Sequence, residues 1–200
     1  MPIRVINPYN QEIVEEVAHD DHASSGAKIA AATRAQAQWS RLSVADRVAR
    51  IRVGVETLRE RTDAITREVT LQMGKPLAEA RGEMGTLLER AEWMLEAAEQ
   101  ALAQDVLPAK EGFLRRIEHV PHGVVFNVAA WNYPLIIPIN VIVPALAAGN
   151  AVILKHSAKT PLVGRRFEEA LGRSFVASIR QTSVPSSCPC WWAASSVPRG

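Results

Sequence analysis

The chain has 200 residues, 48% of them hydrophobic and 22% charged, a composition typical of a globular protein with one domain or slightly more. Its 23 basic and 21 acidic residues are mixed along the sequence, and the net charge of +2 gives no sign of a nucleic acid partner. Both cysteines lie near the carboxyl end, which excludes a disulfide scaffold, and without a secretory signal pattern we expect a cytoplasmic protein.

The first hundred residues are predicted to be mainly helical. A short strand around residues 13–17 precedes an alanine-rich helix over about 25–39. Ser43 then begins a longer helix as its N-cap, with Asp46 three residues later in the manner of a capping box. Apolar residues at alternating steps of four and three predict a buried stripe along this helix, which ends at Gly74-Lys75-Pro76.

A third helix is predicted from about Leu77 to Gln104, so the helical region covers about residues 25–104. A coiled coil is the alternative for these helices. Glycines inside them and the short run of repeats favour packing within a globular fold.

The next segment has the pattern of an α/β domain. Residues 113–120 predict a mixed polar and apolar strand. Val124 to Ala130 is a near-continuous apolar run, which is typical of a strand buried on both faces. A helix is predicted to begin with Pro134 at its first position and to stop at Gly149-Asn150.

A second buried strand at residues 151–154 and a helix from Pro161 to Leu171 complete a βαβ unit over about residues 123–171. This order implies a parallel sheet with a right-handed crossover. Residues 123–154 contain no charge, but three prolines and four asparagines interrupt them. A spanning helix needs roughly 20 mostly apolar residues, so we expect no membrane span.

The composition changes after Gly172. Residues 173–200 contain seven serines, three prolines and both cysteines, with no helical or strand period, and we interpret them as a disordered tail unrelated to the rest. Two strands alone leave a parallel sheet with unpaired edges and uncovered faces, a pattern that favours aggregation.

Two loops follow the predicted strands, at the place where open parallel sheets bind ligands. In the first, the side-chain amide of Asn132 is placed to donate to a developing oxyanion, although helix capping is the commoner role for such an asparagine. In the second, Lys155-His156-Ser157 offers a cation and a hydroxyl to a phosphate or ribose. A solvated lysine at a strand end is the commoner case there.

Other chemical signatures are absent from the sequence. Neither G-x-G-x-x-G nor G-x-x-x-x-G-K-[ST] occurs. Cys188 and Cys190 form one close pair without a second, and the histidines are scattered, so we expect no metal site. Neither cysteine has a base or a cleft placed beside it, so neither is assigned as a nucleophile.

The same loops lie within an ordered set of motifs over about residues 3–172 that resembles the aldehyde dehydrogenase family. Gly74-Lys75-Pro76 and Asn7-Pro8 are similar to that family's amino-terminal region. The motifs that resemble its first cofactor-binding segment are Pro121-His122-Gly123-Val124-Val125, Ala130-Trp131-Asn132-Tyr133-Pro134, the run from Pro144 to Val152, Lys155-His156-Ser157 and Thr160-Pro161-Leu162.

The resemblance implies an α/β fold in which amino-terminal helices precede the first, incomplete part of a Rossmann-like parallel sheet. It implies an enzyme whose cysteine attacks an aldehyde, passes hydride to NAD or NADP and releases a carboxylic acid through a glutamate-activated water. By resemblance, Asn132 stabilises the thiohemiacetal oxyanion and Lys155 hydrogen-bonds the adenosine ribose. Ala129, Ala130 and Trp131 match cofactor-contacting positions, and the parent enzyme is expected to be a homo-oligomer.

Several positions depart from the family pattern. Ala130 and His156 stand where prolines are usual, and Ala158, beside Ser157 in the cofactor-binding loop, stands where an acidic residue is often found. Loss of that carboxylate removes a repulsion against a 2′-phosphate, so NAD and NADP both remain open. The lysine followed by histidine is similar to succinate-semialdehyde-dehydrogenase-like branches.

The resemblance stops near Gly172, ahead of the region that carries the family's catalytic cysteine and base glutamate. We therefore expect this chain to be inactive alone. A frameshift or gene-model break near Gly172 is the leading hypothesis. The alternatives are a non-catalytic module that binds a cofactor or a subunit, and a product without function.

Overall fold

A computed structural model describes residues 2–172 and the backbone of a strand at residues 176–179. A hairpin and four helices come first, then two very short strands, and finally alternating strands and helices. In chain order the elements are β1 (Ile3–Ile6), β2 (Ile13–Val17), α1 (His22–Trp39), α2 (Val44–Glu60), α3 (Thr62–Met73), α4 (Leu77–Ala101), β3 (Asp105–Val106), β4 (Arg116–Ile117), β5 (Val124–Val128), α5 (Ile136–Ala147), β6 (Ala151–Lys155), α6 (Pro161–Leu171) and β7 (Val176–Ile179).

Two helices, α2 and α3, lie where the sequence predicts one. The predicted start is confirmed, because the Ser43 hydroxyl accepts from the Asp46 N–H at 3.1 Å and donates to the Asp46 carboxylate at 2.7 Å. The backbone leaves the helical region at Arg61, with φ of −97° and ψ of 12°. Thr62 interrupts the apolar stripe, and its hydroxyl donates to the Arg59 carbonyl at 2.8 Å. This local side-chain bond competes with the helical ladder and accompanies the break.

The predicted parallel sheet is confirmed. β5 pairs with β6 from Val124 opposite Ala151 to Val128 opposite Lys155, and α5 makes the crossover between them. β6 also pairs in parallel with β7, a strand that the sequence analysis missed in the segment after Gly172. Both edges of β6 are therefore paired and Ala151 to Leu154 are buried, so the prediction of unpaired edges and uncovered faces is wrong for this strand.

β5 is an edge strand in the described part of the chain. Phe126 and Val128 are 56% and 53% exposed, so the prediction of a strand buried on both faces is wrong for β5. The strand ends at Val128 and the chain enters a loop before Ala130. Of the strand predicted at residues 113–120, only the two-residue β4 is present; it pairs with β3 and is exposed. Such a short pair has no apolar face packed on the core to extend it.

The helices and the sheet share one core in which Trp39, Ile51, Leu87, Ile142 and Phe167 are fully buried. Within residues 2–172, none of the helices is long and apolar enough to cross a membrane.

The carboxyl end of α5 is held by side chains from the first two helices. The Trp39 indole N–H donates to the Leu146 carbonyl at 2.8 Å, and the buried Arg47 donates to the Ala147 carbonyl at 2.8 Å. These donors satisfy terminal carbonyls that have no partner inside the helix. They fix α5, and with it the loop at its other end.

Candidate functional site

The two loops singled out in the sequence lie together at the carboxyl end of the parallel sheet. One connects β5 to α5 and the other connects β6 to α6. The Ala129 N–H donates to the Lys155 carbonyl at 3.0 Å, and His156 Nε2 lies 3.0 Å from the Pro134 carbonyl. Parallel pairing puts both strand ends at one edge, which is where ligands bind in sheets of this type.

Asn132 is exposed in the first loop and does not cap α5. The helix begins at Ile136, two residues beyond the predicted Pro134, and Leu135 occupies the N-cap position. Within residues 2–172 the Asn132 side-chain amide makes no hydrogen bond, while its backbone carbonyl accepts one from Lys75 Nζ at 3.0 Å. The capping alternative is therefore wrong, and the oxyanion role stays a prediction.

Glu83 of α4 provides the cap instead. Its Oε1 accepts from the backbone N–H groups of Leu135 at 2.7 Å and Ile136 at 3.1 Å. The Glu83 carboxylate also pairs with the Lys75 ammonium, which lies 4.5 Å from the centre of the Tyr133 ring. A negative charge at this end of a helix is stabilised by the helix dipole. The role of Glu83 was not predicted from the sequence, where its one signal is a carboxylate beside the apolar face of a long helix.

His156 joins the two loops from inside the protein. Since a carbonyl only accepts, Nε2–H donates to Pro134, and Nδ1 accepts from the Thr160 hydroxyl at 3.1 Å. The side chain is 4% exposed, and burial is the main cause that lowers the pKa of His156 to about 4. The imidazole is thus neutral at pH 7, as this hydrogen-bond pattern requires.

The second loop presents cationic and hydroxyl groups. Lys155 is half-buried, and no ion pair to its ammonium occurs within residues 2–172. The Ser157 hydroxyl oxygen accepts from the Lys159 N–H at 3.2 Å, which leaves its own proton to donate elsewhere. Lys159 Nζ lies 4.2 Å from the centre of the Trp131 ring. Ala158 lies between Ser157 and Lys159, so no carboxylate at that position repels a phosphate. The Lys155, Ser157 and Lys159 donors therefore fit a ribose or a phosphate group.

A cleft of about 390 Å³ opens beside this loop, in the size range of small-molecule sites. It lies between the first hairpin strand, the end of α3 and the two loops. The residues that line it are Ile3, Arg4, Val5, Ile6, Pro8, Gln72, Met73, Trp131, Ala158 and Lys159.

Of the predicted site residues, Ala129, Ala130, Trp131 and Asn132 follow the end of β5, and Lys155, Ser157 and Ala158 follow or end β6. Cys188 and Cys190 lie outside the described residues. Among the described residues, no group of three metal-ligating side chains is present.

The fold and these loops define an α/β protein with a cleft beside its parallel strand ends. The model of the aldehyde dehydrogenase family matches residues 1–176, and the chain belongs to this family.

Known relatives share the fold over most of the chain. A succinate-semialdehyde dehydrogenase [NADP(+)] of Deinococcus radiodurans is 34% identical over 160 residues, which are 80% of this chain and 33% of that protein. A glutarate-semialdehyde dehydrogenase of Pseudomonas putida has the same identity and coverage. A crystal structure of an aldehyde dehydrogenase from Brucella melitensis biovar abortus 2308 superposes with a TM-score of 0.85 at 26% identity, covering 90% of this chain and 38% of that one. The chain spans about a third of the length of these curated relatives.

Proposed function

We propose that this chain supplies the oxyanion-stabilising amide and part of the dinucleotide site of an NAD(P)-dependent aldehyde dehydrogenase. The reaction is oxidation of an aldehyde to a carboxylic acid through a cysteine thiohemiacetal. One observation carries the proposal: the Asn132 amide and the Lys155 ammonium, which have no partner within residues 2–172, stand in loops joined by the bond from Ala129 to Lys155. Free donors at adjacent strand ends are the groups that such a site requires.

Asn132 acts where negative charge develops. When a thiolate adds to the carbonyl carbon, the carbonyl oxygen becomes an oxyanion, and a fixed amide N–H stabilises it more than it stabilises the neutral aldehyde. Removing one oxyanion-hole donor from an acyl-transfer enzyme lowers kcat by about 10²–10³-fold, and we expect an effect of similar size here. Because Glu83 caps α5, the Asn132 amide is left for this task.

The dinucleotide, when bound, supplies the hydride acceptor. Lys155 and Ser157 would hold its ribose, and the short side chain of the exposed Ala130 would let a ligand approach the backbone beside Trp131. Ala129 is buried and would contribute by holding the two loops together through its bond to the Lys155 carbonyl. Residues 129–131 also precede Asn132 directly, so dinucleotide and oxyanion donors share one loop.

The cofactor is proposed to be NAD or NADP, with the 2′-phosphate accepted because Ala158 offers no opposing carboxylate. The NADP-dependent relative in Deinococcus radiodurans supports this choice. Calorimetric titration of the 200-residue chain with NADPH and with NADH tests this choice of cofactor. Lys155→Met should weaken both ligands, Ala158→Glu should weaken NADPH selectively, and Lys110→Met, an exposed lysine elsewhere, should change neither. No binding of either ligand to the wild-type chain would contradict the proposal.

The substrate is proposed to be a small aldehyde, with succinate and glutarate semialdehydes the first to assay because the named relatives act on them. The parent enzyme is proposed to be a cytoplasmic homo-oligomer, which light scattering on the complete enzyme would test.

The 200-residue chain is proposed to be inactive alone, because the covalent step needs a thiolate and the resemblance stops ahead of the region that carries the family's catalytic cysteine. Residues 173–200 are proposed to be unrelated to the family beyond the match to residue 176. Absorbance at 340 nm with NAD or NADP and a panel of aldehydes should stay flat. Turnover by the purified chain would refute this, and a tight dinucleotide complex without turnover would favour the non-catalytic binding module.

A further inference from the structure

The backbone of residues 132–136 is held by three side chains from other parts of the fold. We call Lys75, Glu83 and His156 the loop brace. Its hydrogen bonds are Lys75 Nζ to the Asn132 carbonyl at 3.0 Å, His156 Nε2 to the Pro134 carbonyl at 3.0 Å, and the Leu135 and Ile136 N–H groups to Glu83 Oε1 at 2.7 and 3.1 Å. Four backbone groups on either side of Tyr133 are therefore fixed from outside the loop.

Two members of the loop brace are buried charges. The side chains of Lys75 and Glu83 are 9% and 2% exposed, and they pair with each other. A buried ion pair adds little stability over apolar side chains of the same size, because both ions must be desolvated. The ion pair instead fixes the direction of the Glu83 carboxylate. Its Oε1 accepts from the loop N–H groups, while its Oε2 pairs with Lys75.

The chain brings this pair to the loop through the turn between α3 and α4. Gly74 ends α3 in the left-handed region with φ of 76°, and Pro76 is the N-cap residue of α4. This turn directs Lys75 to the Asn132 carbonyl, and Glu83 follows two turns into α4. His156 reaches the Pro134 carbonyl from the loop after β6.

We propose that the loop brace positions the Asn132 amide, and that the Lys75–Glu83 ion pair sets its orientation. Lys75, Glu83 and His156 are positioning residues, since they act through the backbone of residues 132–136. The inference rests on the proposed function of Asn132, while the ordering of the loop is measured without any ligand.

The test uses the complete 200-residue chain labelled with ¹⁵N. The side-chain amide signals of Asn132 are assigned by their loss in Asn132→Asp, and their heteronuclear NOE reports order. Hydrogen exchange is followed at the Leu135 and Ile136 amides and, as internal references, at Val55 and Leu87. The variants are Lys75→Met, Lys75→Arg, Glu83→Gln and the double variant Lys75→Met with Glu83→Gln. Glu79→Gln, an exposed carboxylate one turn earlier on α4, is the matched control.

We expect Lys75→Met and Glu83→Gln to speed exchange at Leu135 and Ile136 by about tenfold or more, the range for hydrogen bonds to charged groups. The Asn132 signals should lose order, Val55 and Leu87 should change little, and Glu79→Gln should match the wild type. Lys75→Arg should leave the Asn132 side-chain amide as ordered as in the wild type, because arginine keeps a positive charge opposite Glu83. In the double variant, the acceleration of exchange at Leu135 and Ile136 should be smaller than the product of the two single accelerations, because no buried charge is left unpaired.

The NADPH dissociation constant then separates this inference from the proposed function. If Lys75→Met binds NADPH more weakly than the wild type does, and Lys75→Arg binds it as the wild type does, the result supports both the loop brace and the proposed function. A wild-type chain that binds no dinucleotide defeats the proposed function, while the ordering of Asn132 still decides the loop brace. Unchanged Asn132 signals in Lys75→Met and Glu83→Gln, or equal acceleration at Val55 and Leu87, would overturn the loop brace.

Discussion

The pH dependence of stability should carry the signature of His156. Its pKa is lowered to about 4 in the folded chain, from 6.5 for an unperturbed histidine. Between these values the unfolded chain binds a proton that the folded chain does not, so stability falls as the pH falls from 6.5 towards 4. The gap corresponds to about 3 kcal/mol in all, and to about 2 kcal/mol between pH 7 and pH 5. At 4% exposure, little solvent screening reduces this figure.

Urea unfolding of the wild-type chain and of His156→Gln, followed by circular dichroism at pH 7, 6 and 5, isolates this contribution. Other titrating groups act equally in both proteins, so the difference between the two free energies of unfolding reports His156. Glutamine still carries an N–H donor for the Pro134 carbonyl but does not titrate. The free energy of the wild type should therefore fall by about 2 kcal/mol more than that of His156→Gln. Parallel pH profiles would refute the assignment of a buried, neutral imidazole.

Three further substitutions test the packing that positions the loops. Gly54→Ala should lower the free energy of unfolding by about 1–3 kcal/mol, because a Cβ there would lie 2.3 Å from Leu171 Cδ2 and 2.8 Å from the Ala170 carbonyl oxygen. Gly82→Ala is its matched control, since a Cβ there meets nothing within 4 Å, and it should raise the free energy by about 0.5–1 kcal/mol. Trp39→Phe should cost about 0.5–1.5 kcal/mol by removing the indole hydrogen bond to the Leu146 carbonyl, which keeps the Gly149 N–H as a donor at 2.9 Å. Urea titration measures all three. Equal stability of Gly54→Ala and Gly82→Ala, or of Trp39→Phe and the wild type, would contradict the packing described.

Features that depend on a few neighbouring residues were predictable from the sequence. Ser43 caps α2 and Gly74 ends α3 as predicted, because a hydroxyl and a residue without Cβ satisfy a helix end within one turn. The βαβ unit was predictable for a similar reason, since a buried strand, a helix and a second strand occupy consecutive stretches.

Features that depend on distant contacts were not predictable in this way. Glu83 and Leu135 are 52 positions apart, so no local pattern shows that a residue of α4 caps α5. The exposure of Phe126 is equally hidden, because an apolar run does not reveal which of its faces is covered. For the candidate site, sequence placed Asn132 and Lys155 at strand ends, whereas their connection through His156 and Ala129 required the folded chain.

Chemical-shift mapping of NADPH on the ¹⁵N-labelled 200-residue chain locates the dinucleotide site directly. We expect shifts concentrated at residues 129–132 and 155–158, weakened in Lys155→Met and retained in Lys110→Met. Saturable binding with shifts confined to other surfaces, or no shifts at all, would contradict the claim that these two strand-end loops form a dinucleotide site.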